Sequence, residues 1–193
     1  LPEEIERIHA RSRAYLANVR QVSLTGGEPT LRRDLVEVVA TLTRLFPAAA
    51  LNINTNGFLT ERIETAARAI LDGRDSLSIY VSLDGIGPAH DRVRGVPGAF
   101  DRTLATLDTL TGLRDALRPA GKRLSVEVNF VLTDLNGGQM TPVADLCRQR
   151  GLALNPILAI TGELYSNCET DVALSGESRR LHLEQAEALL ARE

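Results

Sequence analysis

The sequence predicts an α/β fold in which parallel strands alternate with helices and wind toward a barrel, and three observations predict it. Short β-rich runs alternate with longer segments of helical period along the chain. Polar side chains occupy every second position of the strands, whereas a parallel sheet covered on both faces would be apolar throughout. The 193 residues, 44% of them hydrophobic, suffice for one full-sized domain and not for two independent ones.

The chain opens with a helix expected over residues 2–17. Strands follow at 20–24, 50–54, 77–83, 124–132 and 152–157. Between them Leu35, Val38, Val39, Leu42 and Leu45 recur at helical spacing, as do Ile63, Ala66, Ala67 and Ile70. Phe100, Leu104, Leu107 and Leu110 give a further helix, Val143, Leu146 and Cys147 another, and a closing helix is expected over 176–192. This repetition implies parallel strands joined by right-handed crossovers. A series that begins on a helix points to a strand before it, so the expected architecture is a partial parallel (β/α)6, TIM-like barrel without its first strand. Residues 1–160 would form the barrel core, and 161–193 the start of a C-terminal extension with a helix.

One strand face carries Ser23 and Thr25, then Asn52, Asn54 and Asn56, then Ser78, Tyr80, Ser82 and Asp84, then Ser125, Glu127 and Asn129. The alternate positions are Val22, Leu24, Leu51, Ile53, Leu77, Ile79, Val81, Leu83, Val126, Val128 and Phe130. The apolar set faces the helices and the polar set faces inward. Buried polar groups are costly unless paired, so the inner face holds either a polar ligand with water or a filling hydrogen-bond network.

Composition excludes several functions. With 22 basic and 25 acidic residues, a net charge of −3 and no basic block, neither nucleic acid nor an acidic membrane is an expected partner. Aromatic residues make up 4% and Trp is absent, so base-stacking platforms are not expected. No apolar run approaches the roughly 20 residues that cross a bilayer. The start, Leu1-Pro2-Glu3-Glu4, lacks the basic and apolar regions of a signal peptide and also an initiator Met, so the sequence reads as a fragment, or the ordered part of a longer chain, and a cytoplasmic protein is expected. Cys147 reads as a core thiol on a helix face and Cys168 as a loop thiol, neither within metal-ligand spacing of another.

The sharpest local signal is Val22-Ser23-Leu24-Thr25-Gly26-Gly27-Glu28-Pro29, where a strand ends and a helix has not begun. That is the end at which α/β folds bind ligands. Two successive glycines leave the backbone uncovered, and their carbonyl edge beside an acidic residue suits an ammonium group. Pro29 donates no N–H and fixes the turn. Gly26-Gly27-Glu28-Pro29 after a strand resembles the motif with which radical S-adenosylmethionine (radical SAM) enzymes hold the amino group of the cofactor's methionine moiety. Asn54-Thr55-Asn56-Gly57 fits after the next strand. Val81-Ser82-Leu83-Asp84-Gly85, running into His90-Asp91-Arg92-Val93-Arg94-Gly95, is similar to the branch of peptide-modifying maturases and cofactor-biosynthesis enzymes.

The resemblance implies that Thr25, Gly26, Gly27 and Glu28 line the amino-acid end of the cofactor, and that Ser82 and Arg94 meet its carboxylate or ribose. A guanidinium suits that task because it is permanently charged and grips carboxylates bidentately; the alternative for Arg94 is a salt bridge to Asp91 or a neighbour. Asn129 would approach the adenosine or the substrate, and Leu158 would pack against adenine. Asp84 either caps the turn before Gly85 or touches the ligand, Asn54 and Asn56 either bind substrate or tie strand ends, and His90 is expected to order its loop rather than transfer a proton.

The resemblance also implies a four-iron, four-sulfur cluster on Cys-x3-Cys-x2-Cys, a one-electron donor such as flavodoxin or ferredoxin, and a small-molecule or peptide substrate attacked by a 5′-deoxyadenosyl radical. The three cysteines are absent here and are expected upstream of Leu1; Glu3, Glu4 and His9 read as an exposed helix face instead. A cluster-free relative using the pocket as a binding or scaffolding module is the other reading. A phosphate-binding barrel is disfavoured because no turn has the P-loop pattern. Substrate choice is expected to reside around residues 165–173 and outside this sequence.

Overall fold

The computed structural model describes residues 2–158 and 175–191. Cys168 and the segment 165–173 lie outside the described residues. In chain order the elements are helices α1 (Pro2–Arg11) and α2 (Arg13–Leu16), strand β1 (Gln21–Leu24), α3 (Leu35–Leu45), β2 (Ala50–Thr55), α4 (Thr60–Gly73), β3 (Ser76–Ser82), α5 (Pro88–Arg94), α6 (Ala99–Leu117), β4 (Arg123–Leu132), α7 (Met140–Gln149), β5 (Ala153–Leu158) and α8 (Gly176–Leu190). Short 3-10 turns at Pro29–Leu31, Arg118–Ala120 and Asp134–Asn136 complete them.

The strand order is β1-β2-β3-β4-β5, the order of the chain. Each crossover therefore leads to the next strand, and among the described residues the sheet has no switch point of the kind that marks doubly wound folds. β1 and β2 pair in parallel from Gln21↔Ala50 to Leu24↔Ile53, and β4 and β5 from Glu127↔Ala153 to Leu132↔Leu158. The α/β winding expected of a barrel is thus present, with strand ends within a residue of expectation. The opening helix differs: Ser12, a poor helix former whose backbone leaves helical angles (φ −118°, ψ 19°), divides it into α1 and α2.

The chain divides into two units, one taking residues up to Tyr80 with Ala105–Val126, the other Val81–Leu104 and residues from Glu127 on. In the first, Leu35, Val38, Val39 and Leu42 of α3 and Ile63, Ala67, Ile70 and Leu71 of α4 are buried, with Leu51, Ile53, Leu77 and Ile79 of the strands. In the second, Val128, Phe130 and Leu132 are buried with Met140, Val143 and Cys147 of α7. Burial pushes the Cys147 thiol up to about 12, as its core position requires. On the other strand face Ser78, Tyr80, Ser82, Glu127 and Asn129 are only half-buried, so the polar face retains access to solvent.

α6 departs from its expected stripe. Phe100 and Leu104 are half-buried, while Thr103 and Thr106 are completely enclosed. Both hydroxyls are partnered: Thr106 Oγ1 donates to the Gly57 carbonyl at 2.7 Å, and Thr103 Oγ1 lies 3.4 Å from His90 Nε2. A hydrogen-bond partner offsets the cost of desolvating a buried hydroxyl, which allows threonine at these core positions.

Candidate cofactor site

In the first unit, β1 runs out at Leu24 into Thr25, Gly26 and Gly27, all exposed. Gly26 has φ +123°, which an L side chain rarely adopts. A Cβ at Gly26 or Gly27 would meet nothing within 4 Å, so the backbone of this turn is uncovered.

Glu28 closes the turn. Its Oε1 accepts from Thr30 N (3.2 Å), Thr30 Oγ1 (2.6 Å) and Thr55 Oγ1 (2.9 Å), and its Oε2 accepts from Asn56 N (2.8 Å). The side chain therefore caps the 3-10 turn that begins at Pro29 and ties the end of β1 to the end of β2. Beyond it, Thr55 Oγ1 accepts from Gly57 N at 3.1 Å and Asn56 Oδ1 from Phe58 N at 2.9 Å. Asn54 Nδ2 donates to Ser23 Oγ at 3.1 Å. Asn54 thus ties the ends of β1 and β2, one of the two roles its sequence allowed, whereas the Asn56 side chain closes the turn after β2.

In the second unit, β3 ends at Ser82, which is half-buried, and Leu83 N donates to the Asn129 carbonyl of β4 at 2.9 Å. Asp84 follows, 1% exposed. Its Oδ1 accepts from Val131 N at 2.8 Å and its Oδ2 pairs with Arg94 Nη2 at 2.6 Å. Burial raises the Asp84 carboxyl above its ordinary range, while Arg94 and the Val131 N–H pull it back. The salt bridge of Arg94 is made to Asp84, not to Asp91. Asp91 instead accepts from Phe100 N (2.9 Å) and Gly98 N (2.7 Å), binding the loop after α5 to the start of α6, and these N–H groups lower its pKa.

His90 is fully buried, and its Nδ1 accepts from Asp84 N at 3.0 Å. Nε2 therefore carries the proton and points to Thr103. Burial, aided by Arg94, lowers its pKa to about 4. His90 orders its loop as expected, from inside the core. Asn129 is half-buried on β4, and Leu158 ends β5 with 63% exposure.

Sequence reasoning passed over Asn136 and Gln139. Asn136, 1% exposed, donates to the carbonyls of Asp84 (3.1 Å) and Val131 (2.8 Å), while Gln139 Oε1 accepts from Ile86 N at 3.0 Å. The one local signal was Thr133-x-x-Asn136, a capping box with Asn where Glu or Gln is usual.

Two features fit S-adenosylmethionine. The Gly26–Gly27 backbone is open to a ligand. Arg94 is a quarter exposed, and its Nε is buried without a hydrogen-bond partner among the described residues. An iron–sulfur cluster is not matched by the residues present. The chain has two cysteines, Cys147 is a buried, protonated core thiol, and no three His, Cys, Asp or Glu residues gather as metal ligands among the described residues.

The family model of the radical SAM superfamily matches residues 1–127. The chain belongs to the radical SAM superfamily. It is 34% identical over 161 residues to a probable GTP 3′,8-cyclase of Thermococcus kodakarensis, covering 81% of this chain and 46% of that protein. It is 35% identical over 182 residues to GTP 3′,8-cyclase 2 of Mycobacterium bovis, covering 91% of this chain and 46% of that protein. It is 31% identical over 129 residues to pre-heme d1 synthase of Dinoroseobacter shibae, covering 67% and 28%. The chain thus spans less than half the length of these curated relatives. Among solved structures, the radical SAM chain shares the fold of native anSMEcpe with bound AdoMet, with TM-score 0.56 at 17% identity over 88% of this chain and 46% of that one. No helix of the described residues is long and apolar enough to cross a membrane.

Proposed function

We propose that this chain is the S-adenosylmethionine-binding part of a radical SAM enzyme. The observation that carries the reading is the uncovered Gly26–Gly27 turn at the end of β1, braced by Glu28 against the end of β2. Thr25, Gly26 and Gly27 offer backbone carbonyls to the amino group of the methionine moiety. Glu28 holds that turn in shape and adds negative charge beside it. Arg94 and Ser82 bind the carboxylate or ribose, Asn129 approaches the adenosine, and Leu158 covers adenine. One-electron reduction of the bound cofactor, by the cluster the whole protein would hold, would release methionine and supply the 5′-deoxyadenosyl radical for hydrogen-atom abstraction. The half-buried polar face of β3 and β4 receives the substrate.

The thiolates for the cluster lie in the whole protein outside these 193 residues, as does the docking of a flavodoxin- or ferredoxin-like donor. Residues 1–160 form the barrel core and 161–193 begin a C-terminal extension of a cytoplasmic protein. GTP 3′,8-cyclases and pre-heme d1 synthase among the relatives favour a small-molecule substrate in cofactor biosynthesis over a peptide. The test is release of 5′-deoxyadenosine from S-adenosylmethionine by the full-length, anaerobically reconstituted protein under a one-electron reductant. Release supports the reading; a reconstituted, cluster-loaded protein that releases none overturns it in favour of a binding module.

A further inference from the structure

Asp84 is held at every polar atom it possesses. His90 Nδ1 takes its N–H at 3.0 Å, and Asn136 Nδ2 donates to its carbonyl at 3.1 Å. Val131 N holds Oδ1 at 2.8 Å, and Arg94 Nη2 holds Oδ2 at 2.6 Å. Of the side chains that hold it, those of His90 and Asn136 are buried, whereas that of Arg94 is 25% exposed against 2% for the Asp84 side chain. The carboxylate is therefore a fixed anchor, and Arg94 is the movable group that it orients.

The two groups that clamp the Asp84 backbone are themselves fully committed. Asn136 Oδ1 accepts from Thr133 N (2.9 Å) and Thr133 Oγ1 (3.1 Å), and its Nδ2 donates to the Asp84 and Val131 carbonyls. Two donor hydrogens and two lone pairs are the whole capacity of an amide, so no other side chain of this size satisfies the position. His90 spends one ring nitrogen on Asp84 N and the other on Thr103. Gly85 lets α5 close in: a Cβ there would stand 3.0 Å from Ala89 Cβ and 3.1 Å from His90 N.

We propose that Asn136 and His90 are positioning residues that act through Asp84 to aim the Arg94 guanidinium at the cofactor. The inference rests on the reading of Arg94 as a cofactor-binding group. Neither residue touches the ligand. Each fixes one of the two peptide groups that flank the Asp84 Cα, so that its carboxylate presents a single edge to Arg94 and leaves the remaining guanidinium N–H groups for the cofactor.

The test has two readouts. The first needs no ligand: the Nε–Hε resonance of Arg94, followed by NMR in the isotope-labelled chain, shifts and broadens in Asn136→Ala and His90→Leu and returns toward the parent position in His90→Asn, whose Oδ1 replaces the lost acceptor. The second is binding of S-adenosylmethionine by calorimetry, below the melting temperature of every variant. Asn136→Ala and His90→Leu each weaken binding about tenfold, because a group held off its productive geometry loses its contribution. Neither weakens it further in an Arg94→Ala background, because residues acting through one another are not additive. Where Asn136→Ala does not fold, Thr133→Val, which removes one hydrogen bond to Asn136 Oδ1, takes its place. An unmoved Arg94 resonance overturns the proposal, and so does an equal loss of affinity with and without Arg94. If the folded parent chain binds no S-adenosylmethionine, the cofactor reading fails, while the Arg94 resonance still decides whether Asn136 and His90 position it.

Discussion

Acidification should destabilise this fold through one histidine, and His90→Asn should remove most of that sensitivity. His90 has no exposed surface, and burial, aided by Arg94 and opposed by Asp91, lowers its pKa from 6.5 to about 4. A base with a depressed native pKa binds its proton more readily in the unfolded chain. Stability is therefore full above the unfolded value, near pH 6.5, and falls as the pH drops toward the native value, near pH 4. The whole shift corresponds to about 3 kcal/mol, of which about 2 kcal/mol is lost between pH values of about 7 and 5. Asn at position 90 keeps an acceptor for the Asp84 N–H but does not titrate. Urea denaturation at those two pH values, for parent and variant, measures the effect. The parent is expected to lose about 2 kcal/mol more than the variant. An equal loss in both refutes it, because the protonation of a buried His90 would then not govern the acid response.

Other consequences are more local. Gly85→Ala places a methyl group 3.0–3.2 Å from Ala89 Cβ, His90 N and Ala89 C; two of these are backbone atoms, so α5 must shift at a cost of about 1–3 kcal/mol. Thermal unfolding reads this, and an unchanged midpoint contradicts the close approach of α5. Glu28→Gln keeps one acceptor for Thr30 and Thr55 but turns an amide NH2 toward Asn56 N, leaving a donor against a donor. The expected loss is about 1–3 kcal/mol in urea unfolding; no loss would show that Glu28 does not hold the two strand ends.

Much of this architecture is legible in the sequence because it is written in local periodicity. The alternation Leu77-Ser78-Ile79-Tyr80-Val81-Ser82 specifies β3 and its faces without any distant information. The Gly26–Pro29 string marks the turn after β1 equally well, since its conformation depends on its own residues. What escaped depends on partners far along the chain. Asn136 meets Asp84 from 52 residues away, and nothing around Asn136 hints at that carbonyl. Thr103 and Thr106 look like solvent positions of α6 until His90 and Gly57 supply their hydrogen bonds. Asp84 was ambiguous for the same reason: its anchoring role emerges only when Val131, Asn136, His90 and Arg94 surround it. Ser12 shows the limit of periodicity itself, since one weak helix former ends a pattern that otherwise runs on.

Equilibrium dialysis of S-adenosylmethionine against the 193-residue chain probes the pocket without requiring the cluster. A folded chain with the Gly26–Gly27 pocket binds one molecule saturably, and Arg94→Ala, which removes a charge-assisted contact, weakens that binding about tenfold. A chain that is folded by circular dichroism yet shows no saturable binding would contradict the cofactor reading.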